Sequence, residues 1–86
     1  MQYFLSKNFE KQFKKLPKKT KLQAVERFEI FVRDPMEYRL RNHPLTGAWA
    51  GYRSIDITGD IREIYKKVDE QVARFVAIGS HSELYE

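Results

Sequence analysis

Apolar residues recur with helical spacing through the first 34 residues, and they predict two helices. The first spans residues 7–16, where positions four and then three residues apart make one apolar stripe: Phe9, Phe13 and Leu16. The second opens at Pro17 and ends at Asp34, because proline suits a first helical turn and a residue before proline avoids the α region. Its predicted apolar stripe is Leu22, Val25, Phe28 or Ile30, and Val32. Two helices joined this tightly form a hairpin whose apolar seam must cover something.

β-forming residues predict four strands, one before the helices and three after them. Residues 2–5 form the first, which ends at Ser6, a favoured helix N-cap residue. The others are joined by two tight turns into an antiparallel meander: 51–58, 61–68 and 72–78. Residues 35–50 are predicted to be a connection. The expected fold class is α+β: the hairpin covers one face of a curved antiparallel sheet of about four strands, with the first strand at an edge and the other face open.

Polar side chains are expected on that open face. The alternation along the second strand puts Ser54 and Asp56 there, and strand ends or turns add Asp60, Arg62 and His81. An acid–base pair beside a guanidinium is the set that cleaves RNA through its own 2′-OH. One group takes the 2′ proton, another protonates the 5′-oxygen, and arginine stabilises the phosphorane. This chemistry requires neither a metal nor another cofactor.

Each of these residues also has a purely structural interpretation. Asp60 could be an ordinary turn residue, and Arg53 or Arg62 could pair across strands with Asp56 or Glu63. His43 could be a loop residue whose ring packs on Trp49. His81 could be the neighbour of a helix cap, with Ser80 or Ser82 as the cap. The histidines and carboxylates do not have the spacing of a recognised metal site, so no metal is expected. Periodicity alone therefore indicates a small α+β domain that binds nucleic acid at most.

Composition narrows the class of protein. Eighty-six residues with 42% apolar content are expected to form one domain with a small core. The absence of cysteine excludes thiolate metal sites and cysteine catalysis, and is compatible with the cytosol. No apolar run approaches the roughly 18 residues of a membrane span. The expected location is the cytoplasm, with no membrane partner and no signal peptide.

The net charge of +4 is concentrated in the helical hairpin. Residues 1–34 carry nine lysines or arginines against four acids, whereas residues 35–86 carry seven against eight. Between Lys7 and Lys21 there are seven lysines and one acid, Glu10. Such a stretch is typical of a surface that approaches phosphates, although lysines often serve only as a solvated helix face.

Three motifs carry a resemblance to a known family. They are HPL-x-G-x-W-x-GYR from His43, D-x-x-x-IY from Asp60 and GSHSELY from Gly79. Together they resemble the RelE/ParE superfamily of toxins, and most closely its YafQ branch, over residues 1–86 as one RelE-like toxin domain. The resemblance implies a RelE-like microbial RNase fold and a ribosome-dependent endoribonuclease that cuts mRNA. It also implies a type II toxin–antitoxin system, in which a small, acidic, DNA-binding antitoxin holds the toxin inactive.

The resemblance also implies roles for individual residues. His81 is the expected general acid, Asp60 or His43 the base, Arg62 the phosphate clamp, and Tyr85 a group that stacks on or orients a nucleotide. RNA contacts are expected from the lysines of the hairpin and from three further basic residues: Lys7, Lys11, Lys14, Lys15, Lys18, Lys19, Lys21, Arg41, Arg53 and Lys66.

Two departures from the YafQ pattern lie on the second strand. Asp56 stands where that branch carries a histidine, and Ser54 where it carries a carboxylate. Either residue orients a catalytic histidine, or the change weakens activity. The alternatives are a ParE-like gyrase inhibitor and a catalytically weak module of the same fold that binds nucleic acid or antitoxin.

Overall fold

One face of a five-stranded sheet carries the helical hairpin. The computed structural model describes residues 1–85. Its elements are β1 (Gln2–Leu5), α1 (Lys7–Lys14), α2 (Lys18–Arg33), β2 (His43–Pro44), β3 (Arg53–Asp56), β4 (Ile61–Lys67), β5 (Val72–Ser80) and α3 (His81–Tyr85). Short 3-10 turns, Tyr38–Leu40 and Gly47–Trp49, lie in the connection between α2 and β3. No helix within residues 1–85 is both long and apolar enough to cross a membrane.

The sheet has the order β1-β5-β4-β3-β2, with β1 parallel to β5 and the other pairs antiparallel. The predicted α+β class and the edge position of the first strand are confirmed, whereas the expectation of an antiparallel sheet is corrected at that edge, because β1 runs parallel to β5. The predicted count of about four strands is one short, because β2 contains only two residues. One of them is Pro44, which has no backbone N–H for a ladder, so no strand pattern marks this segment.

Helix α1 is fixed to the sheet at a bulge in β5. Ile64 pairs with Ala77 and Tyr65 pairs with Phe75, so Val76 has no partner on β4. Its carbonyl instead accepts a hydrogen bond from Asn8 Nδ2 at 2.9 Å. Nearby, the N–H of Ile78 donates to Gln12 Oε1 at 2.9 Å. Side chains of α1 thus satisfy backbone groups of β5 beyond Phe75, where the pairing with β1 ends.

Aromatic rings fill the core between the hairpin and the sheet. Phe75 of β5 lies within 5.1 Å of the ring centroids of Phe28 and Phe31, and Phe31 lies 5.0 Å from Tyr65. The buried residues of α2 are Ala24, Phe28, Ile30 and Phe31.

The predicted apolar stripe of α2 was wrong at three of its positions. Leu22, Val25 and Val32 are between 42% and 62% exposed. They form a second row with helical spacing that faces solvent, while Ala24, Phe28 and Phe31 face the sheet. Helical spacing is satisfied by both rows, so periodicity cannot decide which one is covered.

The second face of the sheet is partly covered, contrary to the expectation of an open face. Leu84 of α3 packs with Ile64 and Ala77, and Trp49 packs against this cluster. Trp49 Nε1 donates to the carbonyl of Leu84 at 3.0 Å, which ties the connection to α3. A polar cavity remains at the margin of this face, where β2 and β4 meet α3.

Candidate active site

A cavity of about 220 Å³ lies at this margin and collects four predicted catalytic residues. It is lined by His43, Leu45, Thr46, Arg62, His81 and Tyr85. The four polar or aromatic members come from β2, β4 and α3, elements that are separated in the chain. The fold thus gathers two imidazoles, a guanidinium and a phenol around one small space.

His43 is oriented by a backbone carbonyl. Its Nδ1 lies 2.8 Å from the carbonyl oxygen of Arg41. A carbonyl only accepts hydrogen bonds, so Nδ1 carries the proton and Nε2 is the accepting nitrogen of the neutral ring. Arg41 has φ 48° and ψ 44°, a left-handed conformation that a non-glycine residue rarely adopts. The predicted alternative, packing of His43 on Trp49, is not formed, because Trp49 packs against Tyr52 instead.

His81 begins helix α3, and a capping box fixes that helix. The N–H of Glu83 donates to Ser80 Oγ at 3.2 Å, and the N–H of Ser80 donates to Glu83 Oε1 at 2.8 Å. The backbone N–H of Ser80, and after it the Ser80 side chain, lower the pKa of the Glu83 carboxyl by hydrogen bonding to it. A Cβ on Gly79 would lie 3.2 Å from Glu83 Oε1, so glycine leaves room for the cap. Of the two predicted caps, Ser80 is the one used.

Tyr85 lies one helical turn after His81, and the two rings are in contact. Their centroids are 4.6 Å apart, with 59° between the ring planes. The spacing of four residues places both on one face of α3. The His81 ring is exposed, whereas Tyr85 is half-buried. The tyrosine therefore holds the imidazole at the mouth of the cavity.

Arg62 is held by two contacts before any ligand is present. Its Nε lies 3.1 Å from Asp56 Oδ1, and its Nη1 donates to the carbonyl of Thr58 at 3.0 Å. The predicted structural alternative, cross-strand pairing with Asp56, is therefore realised, and Arg62 lines the cavity as well. A guanidinium has five N–H donors, so donors remain for a phosphate.

Neither Asp56 nor Ser54 makes a side-chain hydrogen bond to a histidine within residues 1–85. Asp56 pairs with Arg62 and, at 3.9 Å, with Arg41, so it orients a guanidinium and not an imidazole. Ser54 is fully buried, and its Oγ has no hydrogen-bond partner within residues 1–85. The predicted orienting role of Ser54 stays a prediction that no hydrogen bond of the described residues supports.

Asp60 sits beside the cavity without lining it. Its carbonyl accepts the N–H of His81 at 3.2 Å, and its own N–H donates to Thr58 Oγ1 at 3.2 Å. The side chain is exposed, and its carboxylate makes no ion pair or hydrogen bond with the rest of residues 1–85. The turn interpretation is realised, while the catalytic role stays a prediction.

The predicted RNA-binding residues are spread over the surface. Six lysines of α1 and the start of α2 are exposed, and Lys21 is half-buried, with its ammonium 6.0 Å from the Phe13 ring centroid. Arg53 donates to Asn42 Oδ1 at 2.7 Å and, with Lys66, lines a separate cavity near β2. Arg41 lines a larger cleft that shares Arg62 with the cavity of His43 and His81. RNA binding by all of them stays a prediction.

Two contributors to the site could not be predicted from the sequence. They are the backbone carbonyls of Arg41 and Thr58, for which no side-chain pattern exists.

Comparison with known proteins decides the family. A family model described as the bacterial toxin of type II toxin–antitoxin systems, YafQ, matches residues 1–86. The chain belongs to the YafQ toxin family. The resemblance inferred from the three motifs is thereby confirmed.

Known YafQ proteins match in sequence and in structure. The mRNA interferase toxin YafQ of Escherichia coli K12 is 37% identical over 51 residues, which cover 59% of this chain and 54% of that relative. The aligned part thus spans about half the length of the relative. The crystal structure of YafQ from E. coli BL21(DE3) superposes with a TM-score of 0.82 at 25% identity, covering 98% of this chain and 97% of that one. The E. coli DinJ–YafQ toxin–antitoxin complex contains a chain that matches with a TM-score of 0.76 at 26% identity, covering 98% and 96%.

Proposed function

We propose that this protein is the toxin of a type II toxin–antitoxin pair and an endoribonuclease that cuts mRNA on the ribosome in the cytoplasm. The observation that carries the proposal is the grouping of His43, Arg62, His81 and Tyr85 around one cavity. Membership of the YafQ family and a relative named an mRNA interferase support it.

The chemistry would proceed through the 2′-OH of the substrate. His43 Nε2 takes the 2′ proton, and the 2′-oxygen attacks the adjacent phosphorus. The bond from phosphorus to the 5′-oxygen breaks, and His81 supplies the proton to that oxygen. The products are a 2′,3′-cyclic phosphate and a 5′-OH. His43 is preferred over Asp60 as the base because its Nδ1 contact leaves Nε2 as the acceptor, whereas the Asp60 side chain does not line the cavity.

Arg62 and Tyr85 would act on the substrate without exchanging protons. The guanidinium, held by Asp56 and Thr58, donates to the equatorial oxygens as negative charge develops on the phosphorane. Because Arg62 is positioned in advance, little reorganisation is needed at the moment of reaction. Tyr85 offers a ring for stacking beside His81.

The test is to map 5′ ends of mRNA in a reconstituted translation reaction with wild type and single variants. His81→Ala, His43→Ala and Arg62→Ala are expected to lower cleavage at least about a hundredfold, in the range of lost acid–base catalysis. Ser82→Ala, an exposed neighbour on α3, is the matched control and should cleave normally. If His81→Ala cleaves mRNA at the wild-type rate, the assignment of His81 as the general acid is overturned. Toxicity that survives this substitution and tracks DNA damage would favour gyrase inhibition.

The base is identified by comparing pH–rate profiles of His43→Ala and Asp60→Asn. The proposed mechanism needs His43 neutral and His81 protonated, so wild type should show a bell-shaped profile. Removal of the base should abolish the pH dependence of the cleavage rate on the acidic side of the profile. If Asp60→Asn has that effect and His43→Ala does not, Asp60 is the base.

The proposed partner is an antitoxin, because the E. coli relative YafQ is seen in the DinJ–YafQ toxin–antitoxin complex. We propose that it is acidic because this chain has a net charge of +4. Its docking surface would be the exposed row Leu22, Val25 and Val32 of α2 beside the unpaired edge of β1. A cavity of about 460 Å³ between them is lined by Tyr3 and Val25 among others. An amphipathic helix or an added strand suits an apolar row next to an open edge.

The docking surface is tested by titrating the co-expressed antitoxin with Val25→Gln. Val68→Gln, on the turn after β4, is the matched control because Val68 is equally an exposed valine. Affinity should fall at least about tenfold for Val25→Gln alone, and it should weaken as salt rises, because residues 1–34 carry nine lysines or arginines against four acids. Equal affinity of both variants would exclude this surface.

A further inference from the structure

The catalytic cavity opens onto a larger cleft rich in arginine. This cleft has a volume of about 570 Å³ and is bounded by α2, the turn at Tyr38–Leu40 and the loop after β3. Its lining includes four arginines and one carboxylate: Arg27, Arg39, Arg41, Arg62 and Asp56. Glu37 neutralises Arg39 through a contact of 2.7 Å, but Asp56 is shared between Arg41 and Arg62. An excess of positive charge therefore remains in the cleft, which favours an anionic ligand.

An exposed aromatic ring stands at the same cleft. Tyr38 is 83% exposed, yet its backbone lies on an ordered turn. The neighbouring Leu40 is fully buried, and the carboxylate of Glu37 accepts the N–H of Arg39 at 2.7 Å. A lone exposed aromatic needs no explanation, but an aromatic face among guanidinium groups is the combination that binds single-stranded nucleic acid.

Two residues make the cleft and the catalytic cavity continuous. Arg62 lines both. The carbonyl of Arg41 contacts His43 in the catalytic cavity, and the side chain of Arg41 lines the cleft. The catalytic cavity, about 220 Å³, is smaller than the roughly 300 Å³ at which ligand sites begin. The cleft, at about 570 Å³, is the larger of the two and offers room for a nucleotide that flanks the scissile phosphate.

We infer that this cleft binds the RNA nucleotide next to the scissile phosphate, with its base stacked on Tyr38 and its phosphate held by Arg41 and Arg27. The inference rests on the proposed nuclease function and adds a substrate-positioning site to it. Because stacking accepts any base, the cleft contributes affinity and register more than sequence preference. It supplies a reason for the left-handed backbone at Arg41, which lets one residue serve both spaces.

The test is an NMR titration of the full chain with an RNA tetranucleotide made non-cleavable by a 2′-deoxy substitution. Tyr38→Ala should raise the Kd about fivefold or more, in the range of a lost base–aromatic stack, whereas Tyr38→Phe should bind as wild type does. Arg41→Gln should also raise the Kd and reduce its salt dependence. Phe4→Ala removes an exposed aromatic of β1 that does not line the cleft, and should leave the Kd unchanged.

The outcomes separate this inference from the nuclease proposal. Binding that depends on Tyr38 would support the cleft even if no variant or wild type cleaves RNA. Unchanged binding by Tyr38→Ala would overturn the cleft, even if His81→Ala abolishes cleavage. The inference is also overturned if wild type fails to bind the tetranucleotide at millimolar concentration. It fails likewise if Tyr38→Ala and Arg41→Gln weaken only the antitoxin complex, because the cleft would then be a protein-docking site.

Discussion

Asp56 and Arg62 pair across the β3–β4 ladder, with Asp56 Oδ1 3.1 Å from Arg62 Nε. Their side chains are 18% and 19% exposed, so solvent and salt screen this pair less than an exposed one. The carboxylate fixes the guanidinium, but its charge also competes with a phosphate for that guanidinium. Orientation and charge are therefore two separable contributions of Asp56.

Asp56→Ala and Asp56→Asn should separate the effect of Asp56 on the orientation of Arg62 from the effect of its charge. Alanine removes the acceptor, so Arg62 loses an anchor and cleavage should fall about tenfold or more. Asparagine keeps an acceptor oxygen without the charge, so cleavage should stay within about threefold of wild type. Initial rates of mRNA cleavage are the measurement, with the highly exposed Glu70→Gln as control. Normal cleavage by Asp56→Ala would show that Thr58 alone positions Arg62.

Ser80→Ala should loosen both His81 and Tyr85. The substitution removes the acceptor of the Glu83 N–H, and loss of such a cap typically costs about 1 kcal/mol. A helix of five residues has few other bonds to hold it, so hydrogen exchange at Glu83 should accelerate and cleavage should fall. Ser82→Ala lies on the same helix and should change neither quantity. Exchange as slow as in wild type would mean that packing of Leu84 alone holds α3.

The helices and strands could be predicted where the hydrophobic pattern is compatible with only one buried face. The stripe of α1 and the meander of β3 to β5 each follow from spacing and turns, and the structure confirms them. α2 has two helical rows of apolar residues, and only tertiary packing decides which row faces the sheet. β2 exists because a partner strand lies beside it, not because of its own two residues.

The side chains of the site were predictable from the motifs, whereas their orientation was not. His43, Arg62, His81 and Tyr85 were all named and line one cavity. The carbonyls that orient His43 and Arg62 belong to Arg41 and Thr58, and every residue has a carbonyl. Only the fold determines which carbonyl comes within 3 Å of His43 or Arg62.

Gln12→Ala should destabilise the protein without reducing cleavage. It leaves the N–H of Ile78 beside the β5 bulge without its acceptor. An unsatisfied buried donor costs about 1–3 kcal/mol, and each kcal/mol lowers the Tm of a domain this small by about 4–8 °C. Differential scanning calorimetry measures the shift. Gln71→Ala, an exposed turn position, should leave the Tm unchanged; an equal shift in both variants would rule out the bulge contact as the cause.

Glu63 is an unpaired carboxyl in the core of the sheet, and its removal should stabilise the protein. The residue is fully buried, and neither carboxyl oxygen has a hydrogen-bond partner in the described part of the chain. Glu63→Met keeps a similar volume without a polar group, so the free energy of unfolding should rise by about 1–4 kcal/mol at neutral pH. Urea denaturation measures this change, with the exposed Glu70→Met as control.

The same carboxyl gives the protein's stability a pH dependence of defined sign. Burial raises the pKa of Glu63 well above its usual value of 4.5. In the interval between the unfolded and folded pKa values, the native state therefore holds a proton that the unfolded chain has released, and stability falls as pH rises through it. Above the folded pKa the loss is complete and constant. Glu63→Met lacks this group, so its advantage over wild type should grow with pH above about 4.5 and then level off. An advantage that does not change with pH would show that Glu63 titrates alike in both states, and hence that water reaches it in the fold.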